Sequence, residues 1–321
     1  MSKHGRIFVA LALGAALLLP WLLGGEEVTQ AIRLLTLQQV LFLVVPVLLV
    51  FFLNVLRVWV LLPARYDRLT FFSFFRIFAS CEFFAKTTPG GAGAFAAALV
   101  LVKPYGVPPA VVIGTFSIST VQDMAIISLL AGASLAAKSE GLWAEHGLIY
   151  VLVMIAAVGG LFLVRLARGV QFPSKFADRY PWLHGKLSAL IGGLRAIKRS
   201  IISTGLLQFF LSSILALSYW LTHLSILYWV IHVIGGDIDW AYAALLQLAV
   251  IGAGHLSLSP GGAGVVEAGA MAGLAPFVSL AEAAFIVIVW RLSTQYFYVF
   301  FGGMAFLLER IIISRRKFSK G

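Results

Sequence analysis

Apolar residues fall along this chain in long runs, each separated from the next by a short polar or charged interval. Runs at 7–23, 37–62, 107–137, 148–164, 201–234 and 280–308 are long enough, or nearly so, to cross the ~30 Å hydrocarbon layer as helices. The run at 7–23 follows Lys3, His4 and Arg6 and is followed by Gly24-Gly25-Glu26-Glu27, which offers no small-x-small cleavage site. It is therefore expected to stay as a first helix. Two further apolar stretches, 71–103 and about 241–275, are interrupted by the same pentapeptide: Pro89-Gly90-Gly91-Ala92-Gly93 and Pro260-Gly261-Gly262-Ala263-Gly264. Proline removes a backbone donor and glycine has low helix propensity, so each copy should break a helix. The pattern predicts an all-α polytopic membrane protein with about six spanning helices and two broken re-entrant helical hairpins.

Backbone groups left unpaired in hydrocarbon cost several kcal/mol, so a break at membrane depth is tolerated only inside protein or along a wet cavity. The alternative is a tight turn at the membrane surface. Repetition of the whole pentapeptide favours the first reading. Two breaks in corresponding positions of two halves point to a transporter's binding site.

Composition fixes the class. The chain is 61% apolar with 25 Phe, and its mean hydropathy is +0.98, against ~45–50% apolar content in soluble domains. No long polar segment remains for a soluble catalytic domain, so the 321 residues read as one transmembrane domain. A single cysteine, Cys81, excludes an internal disulfide and a cysteine-based metal cluster. Neither a metal nor a cofactor is expected.

A net charge of +11 raises the question of nucleic acid, but the placement of the charges answers it. The connection 165–200 carries Arg165, Arg168, Lys175, Arg179, Lys186, Arg195, Lys198 and Arg199 against the single acid Asp178. Arg65 and Arg68 mark another short loop, and the tail holds Arg310, Arg315, Arg316, Lys317 and Lys320. Placing these segments and both termini in the cytoplasm satisfies the positive-inside rule. It puts Glu26-Glu27, Glu140, Glu145, Asp237, Asp239 and Glu282 outside. The first hairpin then opens from the cytoplasmic side and the second from the outer side.

Pro89 and Pro260 stand 171 residues apart. The same offset carries the run 37–62 onto the run 201–234, and 107–137 onto 280–308. The units, about 7–137 and 147–309, read as an inverted-topology repeat with a substrate site between them. Chance periodicity in a long apolar chain is the competing explanation.

Ionisable residues inside spans cost ~2.5–3.5 kcal/mol or more on insertion scales and are functional candidates by default. Glu82 and Lys86 stand four apart on the first hairpin, as a self-neutralising pair or as binding groups. Arg57 is near enough to the cytoplasmic end of its helix to be expected to snorkel. Asp123, with Gln122 beside it, lies mid-span, and the offset places it opposite Thr294, one turn from Arg291. Glu267 lies just after the second break, where a helix N-terminus favours a carboxylate. Arg291 is expected to be the only arginine at mid-span depth, paired with Glu267 first and Asp123 second. His255 precedes the second break and is placed on the cavity; His223 and His232 are assigned to helix packing.

Pro260-Gly261-Gly262-Ala263-Gly264-Val265-Val266-Glu267, followed by Arg291 in the next span, resembles the flippase-like membrane family related to the transmembrane domain of lysyl-phosphatidylglycerol synthase. The resemblance covers about residues 40–310. It implies a lipid-translocating fold in which a cavity between the broken hairpins moves a head group across the bilayer. The soluble aminoacyl-transfer domain is absent, so this chain is not expected to make lysyl-phosphatidylglycerol. Ala94-Phe95-Ala96-Ala97-Ala98 follows the first break where many relatives have an acid and an Arg.

Three classes stay open: a flippase or scramblase for a phosphate-bearing lipid, a membrane-embedded lipid-modifying enzyme, and a scaffold for a partner enzyme. No nucleophile–base pair, metal set or P-loop is present, so catalytic residues are not expected and any flipping is downhill or ion-coupled. Membrane lipids are the expected partners. A cytoplasmic or membrane enzyme on the basic connection and a second copy of the chain stay open.

The topology is directly testable. In a Cys81→Ser background, a cysteine replacing Ser174 should be labelled only from the cytoplasm, and one replacing Asp237 only from outside. Labelling of position 174 from outside overturns the orientation.

Overall fold

The computed structural model describes residues 36–63, 66, 69–138, 204–257 and 259–318, and these residues are helical with no strand among them. The runs 7–23 and 148–164 and the basic connection 165–200 lie outside the described residues. In chain order the helices are α1 (Leu37–Leu61), α2 (Phe71–Thr87), α3 (Ala92–Leu101), α4 (Pro109–Lys138), α5 (Leu206–Val233), α6 (Trp240–Leu256), α7 (Val265–Leu274), α8 (Leu280–Arg291) and α9 (Phe297–Phe318). A single π-helical turn, Leu292–Tyr296, joins α8 to α9. Four stretches, Leu37–Leu61, Pro109–Leu135, Leu206–Val233 and Leu280–Arg315, are long and apolar enough to cross a membrane.

Several helix starts are set by short polar side chains. Thr36 and Gln39 form a capping box on α1, with Thr36 N–H donating to Gln39 Oε1 at 2.8 Å. Thr70 Oγ1 accepts from Ser73 N–H on α2, and Asp239 Oδ1 accepts from Tyr242 N–H on α6. Ser279 and Glu282 repeat the capping box at α8.

The two broken stretches have the same build. Each is a 17-residue helix, a three-residue 3₁₀ turn and a 10-residue helix: α2, Pro89–Gly91 and α3 in one, α6, Pro260–Gly262 and α7 in the other. The two helices of each unit pack on one another, and the two 3₁₀ turns meet. Helices α1 and α5, which the 171-residue offset relates, also pack against each other.

Two large apolar cores result, with a small third cluster of Leu130, Trp220, Leu224 and Ala244. One surrounds the first hairpin and takes Phe51, Phe74, Ile77, Phe78, Ala97, Leu101 and Tyr298. Phe51 is its hub, with ring centroids of Phe75, Phe301 and Tyr298 at 5.2, 5.3 and 5.7 Å. The other surrounds the second hairpin and takes Val50, Leu227, Ala243, Ala270, Leu274, Ile286 and Trp290. Helix α8 belongs to the second core and α9 packs on α2 in the first, so the π turn lies at their junction. The expected span 280–308 is present within a membrane-length helix, Leu280–Arg315, which carries a π turn where it passes between cores.

Close approach of α9 to α2 depends on Gly302. A Cβ there would lie 2.3 Å from the Ala79 carbonyl oxygen and 2.9 Å from Phe83 Cβ. Backbone leaves little room to yield, and overpacking costs ~1–3 kcal/mol. At the neighbouring Gly303 an added Cβ meets only the Phe83 ring, at 3.5 Å. Gly302→Ala should therefore lower the thermal midpoint of the detergent-solubilised protein, whereas Gly303→Ala should hold or raise it, since Ala gains up to ~1 kcal/mol over Gly in a helix. Equal midpoints for the two variants would contradict the packing described.

Candidate functional site

Where a helix breaks, its carbonyls and amides need other partners. At the end of α2 the Phe83 carbonyl accepts from Thr87 Oγ1 at 2.8 Å and the Phe84 carbonyl from Thr88 Oγ1 at 2.6 Å. Thr88 Oγ1 in turn accepts from Gly93 N–H at 2.9 Å, starting α3. The Lys86 carbonyl is reached from the far side of the molecule, by Gln295 Nε2 at 2.8 Å. Gln295 sits in the π turn and is buried.

The second break is tied down by charged side chains. Gly261, Gly262 and Gly264 all have positive φ (61°, 73° and 86°), which only glycine adopts freely. The turned-out Gly261 carbonyl accepts from Arg291 Nη2 at 3.0 Å, and Gly264 N–H donates to Glu267 Oε2 at 2.7 Å. Arg291 Nε and Glu267 Oε1 lie 2.6 Å apart, a close charge contact rather than an aligned hydrogen bond. Both side chains are buried, Glu267 completely. A Cβ on Gly261 would come within 2.1 Å of Gln295 Nε2 and 2.7 Å of the Lys86 carbonyl oxygen, so the two breaks are in contact through this glycine.

A second charge pair, with Arg57 buried and Asp123 partly exposed, stands nearby. Arg57 donates through both Nη atoms to Asp123, through Nη2 at 3.0 Å, and through Nε to Asn54 Oδ1 at 2.8 Å. Its guanidinium carbon lies 4.7 Å from the Tyr219 ring centroid. Trp220 Nε1 adds a 2.7 Å bond to Asp123 Oδ1. Three expectations are corrected here. Arg57 does not snorkel, because it is only 5% exposed and held by the side chains of Asn54, Asp123 and Tyr219. Asp123 pairs with Arg57 rather than with Arg291, and Arg291 is accordingly not the only arginine held in the interior.

Glu82 and Lys86 stand between these pairs, and no ion pair joins them among the described residues. Glu82 Oε1 accepts from Asn54 Nδ2 at 3.2 Å. The Lys86 ammonium lies 5.3 Å from the Tyr298 ring centroid. Both side chains are only partly buried and keep accessible surface beside the first break. Lys86 is within electrostatic reach of Glu82, Arg291 and His223. His223 stacks on Tyr219, with centroids 5.6 Å apart.

Gln122 lies elsewhere. It is buried and links α4 to α5, accepting from Ser212 Oγ at 3.0 Å and donating to Ser213 Oγ at 2.9 Å. His255 is exposed at the end of α6, its Nδ1 2.8 Å from the Ile251 carbonyl. Neither touches the two charge pairs. Asn54, Tyr219, Trp220, Gln295 and Tyr298 join the site without having been singled out from the sequence. Gln295 follows Arg291 by four residues in an apolar helix, a spacing that would have flagged it; Tyr219 and Trp220 carry no such signal.

The fold and this site define a polytopic α-helical membrane protein in which two broken helical hairpins meet among buried and partly exposed charged side chains. The chain belongs to the family described as the lysylphosphatidylglycerol synthase TM region, whose model matches residues 7–302. Among curated proteins no relative matches the chain.

The Glu267–Arg291 contact can be weighed by a four-member cycle. Glu267→Gln leaves a buried cation without its counter-charge, and breaking such a pair costs ~3–5 kcal/mol. The double variant Glu267→Gln/Arg291→Gln should be more stable than the sum of the single losses implies. Strictly additive losses in thermal midpoint would mean that the two residues do not interact.

Proposed function

We propose that the protein moves the phosphate-bearing head group of a lipid across the cytoplasmic membrane, with the crevice between the two hairpins as its path. The observation that carries this reading is the meeting of the two helix breaks beside Lys86, Glu82 and the Glu267–Arg291 pair. A head group entering hydrocarbon loses hydration, and a cation offsets part of that cost. Lys86 supplies an ammonium that no carboxylate among the described residues engages, with the Arg291 guanidinium in electrostatic reach. Arginine fits phosphate with a planar fork of donors, and Arg291 is engaged by Glu267 and the Gly261 carbonyl when the breaks are in contact. Parting of the breaks would free it to exchange carboxylate for phosphate, so the buried charge stays paired throughout.

The equal element lengths of the two hairpins support an inverted repeat whose halves expose the crevice to opposite faces in turn, each hairpin re-entering from its own side. Both termini are assigned to the cytoplasm. The family is a flippase-like membrane domain, which supports lipid transport and a non-enzymatic role. Membrane lipids are the partners this requires. A non-transporting scaffold, docking an enzyme through the basic connection, is the second reading.

Reconstitution decides between them. In vesicles containing acyl-chain-labelled phospholipid, the protein should bring inner-leaflet label to an outside quencher. Arg291→Gln should abolish the exchange and Arg291→Lys only slow it, because charge survives without the bidentate geometry. Lys86→Gln should reduce the rate by ten-fold or more, on the order of one charge-assisted contact. No exchange above protein-free vesicles, from a folded wild-type preparation, rules out translocation and favours the scaffold.

A further inference from the structure

Among the described residues the site gathers three cations, Arg57, Lys86 and Arg291, and three acids, Glu82, Asp123 and Glu267. Two of each are committed: Arg57 to Asp123 and Arg291 to Glu267, in contacts that also involve Asn54, Trp220 and the second break's backbone. What remains is one cation and one acid, Lys86 and Glu82, on one face of α2. Residues four apart on a helix have Cβ atoms about 5–6 Å from each other. Their charged ends nevertheless diverge, Lys86 toward the Tyr298 ring and Glu82 toward the Asn54 amide. Both side chains keep accessible surface, and the Asn54 amide engages Glu82 through Oε1.

We infer that the head group taken by this crevice is zwitterionic, with one phosphate and one primary ammonium on a short spacer, as in an ethanolamine phospholipid. The inference rests on the lipid-translocation reading and narrows its substrate. Phosphate meets the Lys86 ammonium, and the head group's ammonium donates to the Glu82 carboxylate. Each free charge of the site finds its opposite, and the crevice stays neutral overall. An anionic head group, with a phosphate and no amine, satisfies Lys86 but brings a second negative charge beside Glu82. Opposed like charges in a partly desolvated crevice cost more than they would in water. A dicationic head group fails in the reverse sense, having one ammonium too many for the single free acid. The Tyr298 and Tyr219 rings along the same wall offer π faces to a cation but no counter-charge for a phosphate.

Equilibrium binding tests the assignment separately from transport. Full-length protein in detergent micelles is titrated with acyl-chain-labelled phosphatidylethanolamine and, in parallel, with identically labelled phosphatidylglycerol. The wild type should bind the ethanolamine lipid roughly ten-fold more tightly, the size of a hydrogen bond to a charged group. Glu82→Gln should reverse the order, weakening the ethanolamine lipid and strengthening the glycerol one, because an uncompensated Lys86 then faces the phosphate. Glu82→Asp should keep the original order. Equal affinities in the wild type, or parallel losses for both lipids in Glu82→Gln, overturn the assignment. If the binding order holds while reconstituted vesicles show no exchange, it is the translocation reading that falls, and the head-group assignment stands.

Discussion

Unpaired backbone is the constraint that the rest of this structure answers to. Two helices stop and restart within an apolar interior, and the amides and carbonyls exposed at each stop have no bulk water to turn to. The first break is settled mostly by its own threonines, Thr87 and Thr88, which cap the carbonyls of α2 one turn back. The second is settled by side chains from outside its own turn: Arg291 on the Gly261 carbonyl and Glu267 on the Gly264 amide. Once a guanidinium is recruited to hold a carbonyl in such a place, it needs a counter-charge, and the carboxylate that caps the next helix supplies it. The buried ion pair thus follows from the helix break.

Gln295 carries the same logic across to the other hairpin. It stands one turn beyond Arg291, so the two side chains leave the same helix toward the same region, one reaching each break. The π turn between α8 and α9 adds a residue to the helical repeat in this stretch. That extra residue changes the rotational register, which lets α8 present its face to the second core while α9 presents its own to the first. A regular helix would fix one azimuth for both. The π turn and the contact between the two glycine-rich breaks are therefore two parts of a single joint.

The fold was largely legible in the sequence, the site only in part. Run lengths located α1, α4, α5 and the start of α8 to within a few residues, while α9 runs ten residues past the expected end at 308, and the duplicated pentapeptide located both 3₁₀ turns. Hydropathy reports how deep a residue lies along a helix but says nothing about which way it faces. That is why Glu267 and Arg291, adjacent to one break and a neighbouring helix, were paired from sequence position, whereas Arg57 was sent to the interface and Asp123 to the wrong arginine. The Arg57–Asp123 contact depends on how α1, α4 and α5 are rotated about their axes, which only packing decides. The π turn was not read from the sequence either, although Leu292-Ser293-Thr294-Gln295-Tyr296 is more polar than the residues on either side of it.

Charge pairing in a low-dielectric interior also separates what is structural here from what is available. Removing either partner of Arg57–Asp123 or Glu267–Arg291 would strand the other, so those four groups hold one another in place while the two breaks are in contact. Lys86 and Glu82 differ because their helical spacing would allow mutual contact and the structure keeps them apart, one on an aromatic face and one on an amide. A lysine on a π face and a carboxylate holding a single amide are both under-coordinated for their type, since an ammonium has three donors and a carboxylate about four acceptor sites. Under-coordination of that kind is costly in a sealed core and inexpensive on a wet crevice. The accessible surface on both residues fits the second case, and it marks α2, rather than the more heavily charged second break, as the face of the site that is ready to receive something.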